Sequence, residues 1–319
     1  MKIVILERNS AGTDIEMDFS DLGEVVCYPN TVTKEETASR IQDADIVVAN
    51  KAPFCEETLQ GARRLKLICE LATGFDNCDL EYCSKRGIQV RNVVDYSTAM
   101  VAQHTFALAL SLLGRLPYYD SYVKSGAYGA QDRFSNFELP FHELSGKVWG
   151  IIGMGHIGRR VADIAAAFGC RVIFYSASGT STCTDYERVN LDTLLAQSDV
   201  LSLHCPLTER TRHLINRNAL KKMKPSAVLI NVARGTVADN RALYEALTGG
   251  WIAAAGLDVL EEEPIGPDNP LGLIQDSCRL IITPHLAWAS VEARKRCVEE
   301  VRKNIKAFLQ NEPRNIVNP

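Results

Sequence analysis

The feature that most constrains the fold is a recurrence of short, almost continuously apolar runs rich in Val and Ile, each followed by a stretch of helical periodicity. The first hundred residues contain KIVIL, EVVCY, DIVVAN, LKLICELA and IQVRNV. A second series follows in VWGIIG, RVIFY, DVLSLHC, AVLINVA, AAGLDV and LIIT. A strand with one face in water alternates apolar and polar residues, whereas a strand covered on both faces does not. Runs of the second kind, interleaved with helices, predict parallel sheets with helices on both sides. The expected class is therefore α/β, with two doubly wound parallel-sheet domains, one for each series. A chain of 319 residues accommodates two domains of about 150 residues.

Two helical patterns show how the series are joined. STAMVAQHTFALALSLLGR at 97–115 reads as the crossover from the first domain to the second. Another, at 288–310, follows the last strand and is expected to return to the first domain. The expected boundaries are residues 1–98 and 287–319 for one discontinuous domain and 99–286 for the other. Thr33 to Glu36 has the form of a capping box, and Gly169 that of a helix-ending glycine. From Pro117 to Ser145 the chain reads as an irregular arm. Tyr118, Tyr119, Tyr122, Tyr128, Phe134, Phe137 and Phe141 crowd there with no evident core face. Interfaces favour aromatic residues, so the segment predicts a homodimer.

Charge narrows the partners. Lys and Arg number 35 against 39 Asp and Glu, a formal balance of −4, which gives no electrostatic footprint for nucleic acid or an anionic membrane. The short run Arg294-Lys295-Arg296 lies in a helical pattern and reads as a solvated face. No stretch approaches the ~18 apolar residues of a membrane span, and MKIVILERN is too short for a signal-peptide core. The ten cysteines are scattered with no Cys-x-x-Cys pair, the usage of reduced thiols in a cytoplasmic protein. No His, Cys, Asp or Glu grouping has metal-ligand spacing, so no metal is expected. No G-x-S-x-G elbow supports a hydrolase.

The strand VWGII runs directly into GMGHIG and then into a helix. In that setting Gly153 makes the tight turn and Gly155 lets backbone N–H groups approach a pyrophosphate. Gly158 lets the helix pack closely on the sheet. His156 and Ile157 open the helix, where backbone rather than ring or side chain faces phosphate. The pattern predicts a bound dinucleotide. An acidic residue is expected about 20 positions on, to hold a ribose 2′-hydroxyl; Ser176 stands there instead. The cofactor is expected to be NAD, with NADP possible because no carboxylate repels a 2′-phosphate.

Three polar residues follow strands of the second series: Arg234 after LINVA, Glu263 at the end of GLDVLEEE, and His285 after LIITP. Loops at the carboxyl ends of such strands surround the ligand crevice. A guanidinium there polarises a carbonyl, and a histidine whose basicity a carboxylate sets transfers a proton. Glu261 and Glu262 read as solvated, His104 as a satisfied core histidine, His204 as structural, and His142 and His213 as surface residues.

GMGHIG, HCPLTERTRHLIN, LINVARGTVADNRAL, GLDVLEEEP and TPHLAWAS, in that order, resemble the D-isomer-specific 2-hydroxyacid dehydrogenase family over essentially the whole chain. DYSTAMVAQHTFALAL and ITPHLAWAS are similar to phrases of its bacterial glycerate dehydrogenases, also called hydroxypyruvate reductases. The resemblance implies a Rossmann-type cofactor domain, a flavodoxin-like substrate domain and an active-site cleft between them. It implies that Arg234 binds the substrate carboxylate, that His285 is the acid in reduction and base in oxidation, and that Glu263, abutting Pro264, raises the proton affinity of His285. It places Asp258 near the nicotinamide carboxamide, and Cys205, Pro206, Val232 and Ala233 along the cofactor. Thr73 and Gly74 would meet the substrate carboxylate, and Trp288 would shape the substrate pocket or pack between domains. The implied activity is reduction of hydroxypyruvate or glyoxylate to the D-2-hydroxy acid. The alternative is an NAD(H)-sensing binding protein, since the C-terminal-binding-protein corepressors resemble the same family and keep the arginine, glutamate and histidine. The chain lacks the disordered polar extension that would favour that role.

Overall fold

In the computed structural model, residues 1–318 are described. The chain divides into two compact units, Met1–Ser97 with Trp288–Pro319, and Thr98–Ala287.

The first unit holds a parallel sheet of β1 (Lys2–Ile5), β2 (Glu24–Cys27), β3 (Ile46–Ala49), β4 (Leu67–Glu70) and β5 (Gln89–Arg91), in the order β2-β1-β3-β4-β5. This is the flavodoxin-like order. β3 and β4 are buried at every residue, which is why their sequences show no alternation. The expected capping box forms at Thr33, with Glu36 returning to the Thr33 N–H. The last helix, Val291–Leu309, belongs to this unit and packs against β4. Arg294 pairs with Asp14 at 2.6 Å and Arg302 with Asp21 at 2.6 Å. The buried Arg91 guanidinium donates to the carbonyls of Asn304 and Glu312, each at 3.0 Å.

The second unit holds β6 (Val148–Ile152), β7 (Arg171–Tyr175), β8 (Glu187–Arg188), β9 (Val200–Leu203), β10 (Val228–Asn231), β11 (Ala254–Leu257) and β12 (Leu280–Ile282). They are all parallel, in the order β12-β11-β10-β9-β6-β7-β8. The chain moves outward from β6 through β8, returns to β9 on the other side of β6, and moves outward again. The carboxyl ends of β6 and β9 therefore form a topological switch point, where open α/β sheets bind ligands. The helix Thr98–Leu113 packs across β10 and β11. Its Phe106 stacks on Trp149 at 4.5 Å between centroids, and the Trp149 indole N–H donates to Ser202 Oγ at 2.9 Å.

Two features differ from expectation. The aromatic arm begins with helices at Leu116–Lys124 and Ala127–Ala130, where the sequence reads as irregular. Pro117 looks like a breaker, but proline is well suited to a first helical turn, where its missing N–H has no partner to lose. β8 is two exposed polar residues and has no apolar run to betray it. Among the described residues no single helix is long and apolar enough to cross a membrane.

Candidate active site

The fingerprint forms the turn between β6 and the helix His156–Ala167, with Gly155 as N-cap. Gly153 has φ of +96°, and a Cβ there would lie 2.7 Å from Cys205 N. The ends of β6 and β9 thus approach so closely that only glycine fits. A Cβ on Gly158 would lie 2.0 Å from Gly153 O, so helix and turn are in backbone contact. Gly155 is different. A Cβ there would meet nothing within 4 Å, leaving open room before the first helical N–H groups, including those of His156 and Ile157.

Beside this turn, His204 keeps both ring nitrogens buried with no hydrogen-bond partner among the described residues. Burial pushes its pKa down to about 3, so the ring is neutral. The sequence reads His204 as structural, but the structure supplies nothing that satisfies it. Cys205 is buried, and burial pushes its thiol up to about 11. Room at Gly155, a helix N-terminus favourable to anions, the switch point and an unsatisfied imidazole together fit a dinucleotide. Val232 and Ala233, after β10, and the exposed Pro206, after β9, stand at the same sheet edge.

Ser176 follows β7 directly and is buried, its Oγ accepting the Ser181 N–H at 3.3 Å. The turn it opens carries Gly179, whose carbonyl accepts from Arg188 Nη2 at 3.1 Å. The sequence shows no cation in this loop; the fold brings one from β8, twelve positions on.

Arg234, Asp258, Glu263 and His285 all lie beyond the carboxyl ends of β10, β11 and β12. Asn231, which the sequence reading missed, brackets the Arg234 turn. Its amide donates to Arg234 O at 3.0 Å and its oxygen accepts the Ala233 N–H at 3.1 Å. The Arg234 guanidinium donates to Ala233 O at 2.8 Å. An asparagine at a strand end, able to mimic a backbone turn, was the available signal.

The Glu263 carboxylate accepts the Leu260 N–H at 3.0 Å through Oε1, while Oε2 lies 2.6 Å from His285 Nδ1. A carboxylate only accepts, so Nδ1 carries the hydrogen and Nε2 is the ring atom that exchanges a proton. The two side chains are 25% and 32% exposed, covered enough to hold one geometry yet open to a ligand. His285 has φ of +54°, a left-handed conformation that costs a non-glycine residue about 1–2 kcal/mol.

Asp258 is buried and committed to this turn. Its Oδ1 accepts the Leu286 N–H at 2.9 Å and the Thr283 hydroxyl at 2.6 Å, and its Oδ2 accepts the Ala287 N–H at 2.8 Å. His104, read as a core histidine, lies 3.0 Å from Thr283 Oγ1. Glu261, read as solvated, is exposed, and it also accepts the Asn240 N–H at 3.0 Å and lies 3.2 Å from His213.

Thr73, Gly74 and Trp288 belong to the first unit. Thr73 and Gly74 stand in the turn after β4, where the Thr73 hydroxyl donates to Val93 O at 2.8 Å. Trp288 packs edge-on to Tyr96, 6.2 Å between centroids.

The chain is similar to known proteins in sequence and fold. The family described as D-isomer specific 2-hydroxyacid dehydrogenase, NAD binding domain, matches residues 106–287. The chain is 38% identical over 325 aligned residues to a hydroxypyruvate reductase of Blautia hydrogenotrophica, covering 100% of each chain. It is 41% identical over 269 residues to a glyoxylate reductase of Thermococcus litoralis, covering 82% of this chain and 80% of that one. The solved D-lactate dehydrogenase of Aquifex aeolicus, complexed with NAD and lactic acid, is 32% identical. It superposes with a TM-score of 0.84, covering 98% of this chain and 96% of that one.

Proposed function

The chain belongs to the D-isomer-specific 2-hydroxyacid dehydrogenases, and from that premise we propose that it reduces hydroxypyruvate or glyoxylate to the corresponding 2-hydroxy acid. The observation that carries the reading is the His285–Glu263 pair at 2.6 Å. It leaves Nε2 as the atom that gives a proton to a keto oxygen or takes one from a hydroxyl. Arg234 holds the substrate carboxylate and polarises the keto group. The first helical turn at Gly155–Gly158 receives the pyrophosphate. When bound, the nicotinamide supplies the hydride in reduction and accepts it in oxidation. The relatives described above lend no support to a corepressor role.

Initial rates with glyoxylate, hydroxypyruvate, pyruvate and a bulky aromatic 2-keto acid, each with NADH and NADPH, test this reading. The two small substrates are expected to give the highest kcat/KM. A preference for the bulky acid would overturn the substrate assignment, and no turnover of any 2-keto acid would overturn the activity. No carboxylate stands at Ser176 to repel a 2′-phosphate, so NADPH is expected to serve within about a thousandfold of NADH, or ~4 kcal/mol of transition-state discrimination.

The exposed Phe134, Phe137 and Phe141, at 89%, 70% and 57%, support a homodimer joined through the aromatic arm. Light scattering at micromolar concentration is expected to give twice the 35.2 kDa chain mass; a monomer would reject it. All ten cysteines are free thiols, which supports a cytoplasmic setting.

A further inference from the structure

We propose that Thr283 and His104 are positioning residues for proton transfer, forming with Asp258 a hydrogen-bonded relay that holds the His285 turn in its left-handed conformation. This rests on His285 being the acid and base of the reaction.

The His285 backbone at φ of +54° is not a conformation that the residue adopts unaided. Its own N–H reaches back to the carbonyls of Asp258 and Thr283, each at 2.9 Å. The next two N–H groups, of Leu286 and Ala287, close on the two oxygens of the Asp258 carboxylate at 2.9 and 2.8 Å. That carboxylate grips the turn from beneath, and its own orientation is set by Thr283, whose hydroxyl lies 2.6 Å from Oδ1.

A hydroxyl has one proton to give. Because Thr283 donates to Asp258, its oxygen accepts from His104, so the His104 ring carries hydrogen on Nε2, 3.0 Å away. The relay runs from His104 Nε2–H to the Thr283 hydroxyl, to the Asp258 carboxylate, and from there to the backbone that presents His285. Burial lowers the proton affinity of His104, although the nearby Asp258 opposes this. The ring therefore enters the relay as a neutral donor. Through it the helix Thr98–Leu113, packed across β10 and β11, fixes a turn far away in the sequence.

This arrangement differs from mere packing in what it predicts. Thr283→Val keeps the shape and removes the hydroxyl; Thr283→Ser keeps the hydroxyl and removes a methyl group. With hydroxypyruvate and NADH, Thr283→Val is expected to lose about tenfold to a hundredfold in kcat, the scale of a misplaced catalytic group. KM and the NADH dissociation constant should stay within about twofold, because valine keeps the size of Thr283 and only the hydroxyl shared with Asp258 and His104 is lost. Thr283→Ser should retain kcat within about threefold. A crystal structure of Thr283→Val should show residue 285 outside the left-handed region, a readout independent of turnover.

Wild-type kcat in Thr283→Val, or lost kcat with the His285 backbone unmoved, would overturn the relay. If Thr283→Val does not fold, His104→Gln, which keeps a donor, is compared with His104→Leu. Gln near wild type with Leu reduced about tenfold in kcat supports the relay, and equal activities overturn it. Failure of the functional reading is distinguishable, because the wild-type enzyme would then turn over no 2-keto acid while the crystallographic comparison still decides the relay.

Discussion

Replacing His285 by alanine is expected to lower kcat/KM for hydroxypyruvate by ~10²-fold or more, since positioned acid–base transfer typically contributes 10²- to 10⁴-fold. Its geometry leaves one ring nitrogen, Nε2, for proton exchange, while Nδ1 is held 2.6 Å from Glu263. The NADH dissociation constant, read by fluorescence titration, should change little, because the fingerprint turn lies after β6 and His285 after β12. Glu263→Gln is expected to act differently. The amide can turn either its oxygen or its NH2 group to Nδ1, so it no longer fixes which ring nitrogen carries the hydrogen. A loss in kcat smaller than that of His285→Ala is therefore expected. Parental kcat in Glu263→Gln would take Glu263 out of the mechanism, and full activity in His285→Ala would take out the histidine.

Glu70→Gln is expected to stabilise the protein at alkaline pH by on the order of 5 kcal/mol. Glu70 ends β4 and is fully buried, with Asn77 Nδ2 and Cys78 Sγ donating to Oε1 at 3.2 and 3.1 Å and Oε2 unpartnered. Burial raises its pKa from 4.5 to about 8, against the opposing effect of those two hydrogen bonds. Below pH 4.5 the carboxyl is neutral folded or unfolded, and it costs nothing. Between pH 4.5 and about 8 the unfolded chain releases this proton while the folded chain keeps it. Stability therefore falls as pH rises through that window, and the loss is complete above about pH 8. Glutamine is neutral throughout and lacks the slope. Thermal unfolding at pH 5 and pH 8.5 should show the variant and parent close at the lower pH and separated at the higher. Parallel losses in both proteins would show that Glu70 does not titrate as the burial implies.

What was legible in the sequence, and what was not, follows from how each feature is encoded. The strands of both sheets were readable, except for β8: burial on two faces leaves an unbroken apolar run in strands such as β3, β4, β9 and β10, and the more exposed β2 and β12 keep short apolar runs as well. β8 lies at a sheet edge, two polar residues long, and leaves no such trace. The glycine fingerprint was readable because close backbone approach at Gly153 and Gly158 admits only one residue type. The His285–Glu263 pairing was readable through its motif. The grip of Asp258 on the backbone at 286 and 287 was not, because its donors are N–H groups that every residue but proline has. Thr283 and His104 are partners across 179 positions, a separation at which periodicity carries no information. Glu70 left a clue, an acid inside the buried run LKLICELA, but nothing local shows that one oxygen ends without a partner.

The account turns on hydride and proton being delivered to one keto carbon with one handedness, and the product of hydroxypyruvate reduction reports this most directly. Wild-type enzyme with limiting NADH should oxidise one equivalent of cofactor for each glycerate formed, and chiral chromatography should find the D enantiomer alone. L-glycerate, a racemate, or glycerate formed without matching NADH oxidation would contradict the account.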